Sequence, residues 1–176
     1  MIDEVKTGLP LVARRDAQLF ILGSLPGDAS LAARQYYAHP QNQFWRLVGS
    51  VVGEDLHSLS YETRLERLAE HRIGLWDVIG SAVRSGSLDQ AIRLANHNRL
   101  EMLAQDFPNL KAIAFNGTVA GSIGRKSIGA DTLLTLMDLP SSSPANTRPL
   151  GEKASAWAAL KALVPDGNRA EISYDD

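Results

Sequence analysis

The chain has 176 residues, with 18 Lys and Arg against 20 Asp and Glu, four histidines and no cysteine, so disulfides, thiolate chemistry and an iron–sulfur cluster are excluded. The length suits one ordinary domain with a real core, and the scattered His39, His57, His71 and His97 lack metal-ligand spacing. A net charge of −2 gives no global case for nucleic acid, so any such contact must come from a local patch; no run has the length of a membrane span or a signal peptide, and a soluble cytoplasmic protein without metal or cofactor is expected.

In chain order, the apolar run 18–22 predicts a buried strand. It opens into a long irregular segment, Gly23-Ser24-Leu25-Pro26-Gly27-Asp28, followed by Tyr36-Tyr37, His39-Pro40 and Asn42, before a helix predicted over 43–52. Further helices are predicted over 62–71, 98–105, 118–123 and 151–163, and further continuous apolar runs over 73–79, 110–115 and 132–139 predict three more strands. Runs without polar alternation fit strands covered on both faces, as in a parallel sheet. Strands alternating with helices predict an α/β protein, a three-layer α/β/α sandwich around a central, mainly parallel four-stranded sheet. One domain is expected over 1–164, with a polar, frayed tail over 165–176.

The unusual residues sit in the loops after these four strands, and ligands of open α/β sheets bind outside the carboxyl ends of the strands. Gly23, Pro26 and Gly27 shape a turn whose N–H groups can also bond a base or a phosphate. Tyr36 and Tyr37 are either hydrophobic wall or a stacking face for an extruded base. Asn42 is a favoured helix cap, and equally an amide able to orient water or to bond a purine edge. Asp28 reads as a turn or cap aspartate and is also the nearest carboxylate of its loop. Asp77 closes a polar network or holds Arg84, Ser87 lies near the cap of a helix, and Arg99 is able to reach a phosphate. Asn116 reads the pocket or bonds its own turn. Ser141, Ser142 and Ser143, between Pro140 and Pro144, supply hydroxyls and N–H groups suited to phosphates, with Asn146 in the same loop. Arg148 adds one cation, and Arg125 and Lys126 are expected to add more.

The segment 23–45 resembles the first motif of the uracil-DNA glycosylase superfamily. Ser-Leu between the glycine and the proline, with His39-Pro40-Gln41-Asn42-Gln43-Phe44-Trp45 downstream, resembles its hypoxanthine-DNA glycosylase branch. Segment 139–146 resembles the second, DNA-clamping motif of that superfamily, and Leu75-Trp76-Asp77-Val78, 86–89 and 115–117 fall in order between the two. The resemblance implies a DNA repair enzyme that flips out and excises hypoxanthine from deoxyinosine in double-stranded DNA, acting as a monomer and leaving an abasic site. It implies Asn42 as the catalytic amide, with Asp28 as a carboxylate able to substitute for a missing water activator. The base pocket it implies comprises Gly23, Ser24, Leu25, Pro26, Gly27, Tyr37, His39, Phe44 and Asn116, with Tyr37, two positions before His-Pro, stacking on the base. The implied DNA contacts are Ser141, Ser142, Ser143, Pro144, Asn146 and Arg148. At Leu25 the chain departs from relatives that carry an amide or acidic water-positioning residue there, so weak uracil removal is expected. No lysine lies in a matched motif, so no Schiff-base step is indicated. The alternatives are a broader uracil- or xanthine-DNA glycosylase, a non-catalytic nucleic-acid-binding member of the fold, and a hydrolase of free inosine.

Overall fold

A computed structural model describes residues 4–165. Beyond Pro165, the tail expected over 165–176 lies outside the described residues. Four strands, β2 (Leu19–Gly23), β3 (Ile73–Asp77), β6 (Ala112–Asn116) and β7 (Thr135–Leu139), form an all-parallel sheet in the order β3-β2-β6-β7. β2 shows why its sequence lacks alternation. Leu19 and Ile21 join one core with Phe44, Leu47, Leu68 and Trp157, while Phe20 and Leu22 join a second core with Ile79, Ala82, Leu103 and Ala120. Each such Leu, Ile or Phe, fully removed from water, contributes roughly 1.5–3 kcal/mol of transfer free energy. The first core is covered by α2 (Phe44–Val52), α3 (Tyr61–Glu70) and α6 (Leu150–Trp157). The second is covered by α4 (Leu103–Asp106) and α5 (Thr118–Ile128). The expected three layers and parallel four-stranded sheet are thus present.

Three features depart from the expectation. The predicted strand 73–79 is two strands. After Asp77 the chain turns at Val78, whose N–H donates to the Gly23 carbonyl at 2.8 Å, and continues as β4 (Ile79–Val83). β4 pairs antiparallel with β1 (Val5–Thr7) and β5 (Arg93–His97) in a small second sheet, β1-β4-β5. A six-residue helix, α1 (Asp28–Ala33), lies inside the segment expected to be irregular. The predicted helix 98–105 is a 3-10 turn, Leu100–Met102, running into α4, and α6 tightens after Trp157 into the 3-10 turn Ala158–Ala162. Among the described residues no helix is long and apolar enough to cross a membrane.

Candidate active site

The carboxyl ends of the parallel strands are Gly23, Asp77, Asn116 and Leu139, and a cavity of about 600 Å³ opens over them. Its walls come from the 23–30 segment, Tyr36 to Asn42, the 87–90 loop, the start of α5 and the serine loop 141–146. Four loops far apart in sequence therefore meet at one edge, where open α/β sheets bind ligands. The volume suits a nucleobase with part of its sugar.

Asn42 is held by a directed chain of hydrogen bonds. Its Oδ1 accepts from the Phe44 N–H at 3.0 Å and from the Ser142 hydroxyl at 2.9 Å. The Ser142 oxygen in turn accepts from Asn116 Nδ2 at 2.8 Å, while Asn116 Oδ1 accepts from the Ser142 N–H at 2.9 Å. Two backbone N–H groups anchor this network, and a backbone N–H only donates, so both amide orientations are fixed. Both lone pairs of Asn42 Oδ1 are occupied, and its Nδ2 has no protein acceptor among the described residues. Asn42, one residue before the N-cap Gln43, therefore ties down the first N–H of α2 and also presents N–H donors beside the cavity. It is built to donate rather than to accept a proton from water.

Tyr37 and Asp77 supply the unpaired groups. Tyr37 is a non-glycine residue in the left-handed region, φ 56°, a conformation that persists only where the surroundings enforce it. Its ring lies flat on Phe44, centroids 3.8 Å apart and planes 12° off parallel. Phe44, expected at the base, is itself fully buried behind Tyr37 and outside the cavity lining. Tyr36 is structural wall, its hydroxyl donating to the Pro10 carbonyl at 2.8 Å. The Tyr37 hydroxyl and Asp77 Oδ2 are both buried without a hydrogen-bond partner, although such groups in folded proteins are almost always paired. Burial, and secondarily the charge of Asp89, push the Asp77 carboxyl up to about 7, against a partial opposing pull from Arg84. Gly23 makes this arrangement possible, since a Cβ there would come within 2.6 Å of Asp77 Oδ1 and 3.0 Å of the Tyr37 hydroxyl.

The 23–28 turn is clamped from outside. Buried Arg84 donates to the carbonyls of Leu25, Pro26 and Gly86, the last at 3.0 Å, and not to Asp77 as the sequence allowed. Ser24 donates to Asp89 Oδ1 at 2.7 Å. Leu25 packs into the second core at 6 % exposure while lining the cavity, an apolar wall where a water-holding group was missing. Asp28, expected as a substitute base, starts α1 at the cavity rim with its carboxylate paired to Lys6. A carboxylate tied to Lys6 is not free to hold a water over the sugar, which argues against Asp28 as the substitute water activator. Ser87, expected near the cap of its own helix, instead accepts from the Asp28 N–H at 2.9 Å and so caps α1. His39 is exposed at the mouth, its Nδ1 accepting from the Gln41 N–H at 3.1 Å.

In the serine loop the three serines separate. Ser142 is fully buried and belongs to the Asn42 network, so the expected phosphate contact through its side chain is corrected to a positioning one. Ser141 and Ser143 accept from the N–H groups of Ser143 and Ala145 at 3.1 and 3.2 Å, which leaves both hydroxyl protons free to donate outward. Asn146 is spent on the loop itself, donating to the Ser141 carbonyl at 3.0 Å and accepting from the Arg148 N–H at 3.2 Å. Arg148 is exposed beside it. Pro144 is exposed at the cavity edge. Arg125 and Lys126 sit in the last turn of α5, whose first turn lines the cavity, and Arg125 pairs with Asp138 at 3.0 Å. They add nothing to the cavity. Arg99 pairs with Glu101 at 3.3 Å.

Comparison with known proteins agrees with this geometry. The family model described as the uracil DNA glycosylase superfamily matches residues 10–163. The chain belongs to that superfamily. Within it, a hypoxanthine DNA glycosylase of Methanosarcina barkeri is 44% identical over 155 residues, 87% of this chain and 96% of that protein. A second, from Methanosarcina acetivorans, is 41% identical over 158 residues, 89% of this chain and 98% of that protein. The solution NMR structure of a Methanosarcina acetivorans protein, provisionally described as a uracil DNA glycosylase, is 40% identical. It superposes with a TM-score of 0.79 over 90% of this chain and 97% of that one. The superfamily and branch that the motifs resemble are those these comparisons return.

Proposed function

We propose that the protein is a monofunctional DNA glycosylase that extrudes deoxyinosine from double-stranded DNA and hydrolyses its N-glycosidic bond, releasing hypoxanthine and leaving an abasic site. The observation that carries the reading is the pair of donors converging on one cavity: the orientation-locked Asn42 amide and the buried, unpaired Asp77 carboxyl. A base inside a duplex is out of reach of such a site, so the nucleotide leaves the stack first. The base lies on Tyr37, which Phe44 backs. Cleavage passes through an oxocarbenium-like sugar, and negative charge accumulates on the departing purine. Asn42 Nδ2–H stabilises that charge, and Asp77, whose carboxyl is pushed up to about 7, donates a second hydrogen bond in its protonated form, as neutral buried acids do in other enzymes. An ionised Asp77 would oppose departure of the base. Water then captures a strongly electrophilic sugar and needs little activation, which fits an apolar Leu25 and an ion-paired Asp28.

Ser141, Ser143 and Arg148 hold the phosphates on either side, giving grip without base identity. The groups named lie in one chain, which supports action as a monomer, and a genomic substrate supports a cytoplasmic, nucleoid-associated protein. The test is release of free base from otherwise identical duplexes carrying inosine, uracil or xanthine, with free inosine nucleoside alongside. Hypoxanthine release from DNA, well above uracil release and absent from the nucleoside, is expected. Binding without release would make the protein a non-catalytic member of the fold.

A further inference from the structure

The serine loop and its exit, 141–148, carry one charged side chain, Arg148. A second cation lies beneath them. Lys153 of α6 is 1% exposed, and its Nζ approaches the Ser143 carbonyl at 3.4 Å. Lysine is almost never buried this fully without a partner. Among the described residues no carboxylate pairs with Lys153.

Holding the loop in place does not account for the ammonium. One turn further along the same face of α6, Trp157 Nε1 donates to the Pro140 carbonyl at 2.9 Å. The Gln43 N–H donates to the Ser142 carbonyl at 3.0 Å, and the Asn146 N–H to the Ser143 carbonyl at 3.0 Å. The carbonyl that Lys153 approaches is therefore already satisfied, and 3.4 Å lies beyond the usual range of an N–H···O bond. An ammonium has three N–H donors, and this one spends them on a single long contact. Burial pushes Lys153 below the usual lysine range, and the charge of Arg148 pushes it further the same way. Two cations thus repel each other around one loop, in a protein whose net charge is −2. One anion seated on that loop would relieve both the repulsion and the unmet charge.

We propose that Lys153 is the buried counter-charge of the serine loop, attracting through it the DNA phosphate that Ser143 and Arg148 hold. Charges inside a protein are screened much less than those on its surface, so Lys153 acts on a phosphate it does not touch. It is a positioning residue for the DNA strand. This rests on the glycosylase reading above, and within it on the phosphate contacts alone.

The probe is an undamaged duplex, which carries the phosphates and no lesion, bound over a range of salt concentrations. Lys153→Met keeps the reach of the side chain and removes its charge. It is expected to weaken binding about threefold or more at low salt and to lower the salt slope by roughly half a unit to one unit. Because an apolar group then replaces an unpaired buried charge, its Tm should hold or rise. In the wild-type protein, Lys153 followed by NMR should titrate at higher pH with duplex bound than without it. A salt slope equal to that of wild type would make Lys153 a structural tie and overturn the proposal. So would a Lys153 titration that bound duplex leaves unmoved, a result that decides the matter even if Lys153→Met fails to fold. Wild-type protein that binds duplex but releases no hypoxanthine would instead overturn the excision reading and leave the phosphate grip in place.

Discussion

The floor and the rim of the cavity are built on opposite principles. On the floor, polar groups are buried and yet two of them, the Tyr37 hydroxyl and Asp77 Oδ2, have no partner, while Asn42 is bonded so that only its donors remain. On the rim, Ser141, Ser143 and Asn146 are partly exposed and already engaged in the loop's own turns. An unpaired buried group costs about 1–3 kcal/mol, whereas a partly exposed one can turn to water. The floor therefore holds its groups in readiness for one ligand at the expense of stability, and the rim holds its loop rigid for a repeating one. On the proposed reading, chemistry belongs to the floor and grip to the rim.

The largest break in this division is Asn42→Ala, which should slow single-turnover hypoxanthine release by roughly 10²–10³-fold, the scale of losing one positioned donor. Asn42→Asp should also be impaired, because it restores the tie to the first N–H of α2 without restoring the donor; a purely structural role would leave it near wild type. Tyr37→Ala comes next, losing about 1–3 kcal/mol of transition-state stabilisation, while Tyr37→Phe, which keeps the stacking face and loses only the hydroxyl, should fall between Tyr37→Ala and wild type. Ser142→Ala sharpens the comparison, because this serine lies in the rim loop by sequence and in the floor network by position. It should slow cleavage roughly tenfold with the salt dependence of binding unchanged, since it frees Asn42 Oδ1 rather than a phosphate. Asp77 gives a pH signature. Its carboxyl holds a proton to about 7 in the folded protein, against about 3.9 in an unfolded chain. Between those values the native state binds more protons, so this contribution to stability is complete below about pH 4 and is lost as pH rises through about 7. Asp77→Asn should accordingly gain in Tm over wild type on going from about pH 5 to about pH 8. Wild-type cleavage should fall through about pH 7, and Asp77→Asn should lose that limb while keeping part of the activity. The smallest effect is Arg148→Ala, which should weaken binding to damaged and undamaged duplexes alike and lower the salt slope by about one.

The sequence revealed the floor's frame better than its wiring. The four parallel strands were legible because β2 and β6 are buried on both faces and therefore read as unbroken apolar runs. The small antiparallel sheet was not, because β1 has only three residues and both β1 and β5 are largely exposed, β5 setting Arg93, Leu94 and His97 in solvent. The turn at Val78 was hidden for a related reason: Val78 and Ile79 are as buried as β3 before them, so the apolar run continues through a change of sheet. Helix α1 escaped notice because it spans six residues and takes its cap from Ser87, 59 positions away. Asn42 and Tyr37 stand out in their motif, and the structure sets both in the cavity lining. Ser142 was misread because three consecutive serines look solvated, and its burial depends on a bond to a residue 100 positions earlier. Asp77 was visible as a polar residue ending a strand, but its missing partner is a property of packing alone.

The division between floor and rim is tested most directly by a single-turnover titration of inosine duplex with Asn42→Ala and Arg148→Ala, yielding for each the maximal rate of hypoxanthine release and the half-saturating enzyme concentration. The account predicts that Asn42→Ala lowers the maximal rate and leaves half-saturation where it was, and that Arg148→Ala raises the half-saturating concentration at an unchanged maximal rate. Two folded variants that move the same parameter, or an Asn42→Ala protein that cleaves at the wild-type rate, would contradict it.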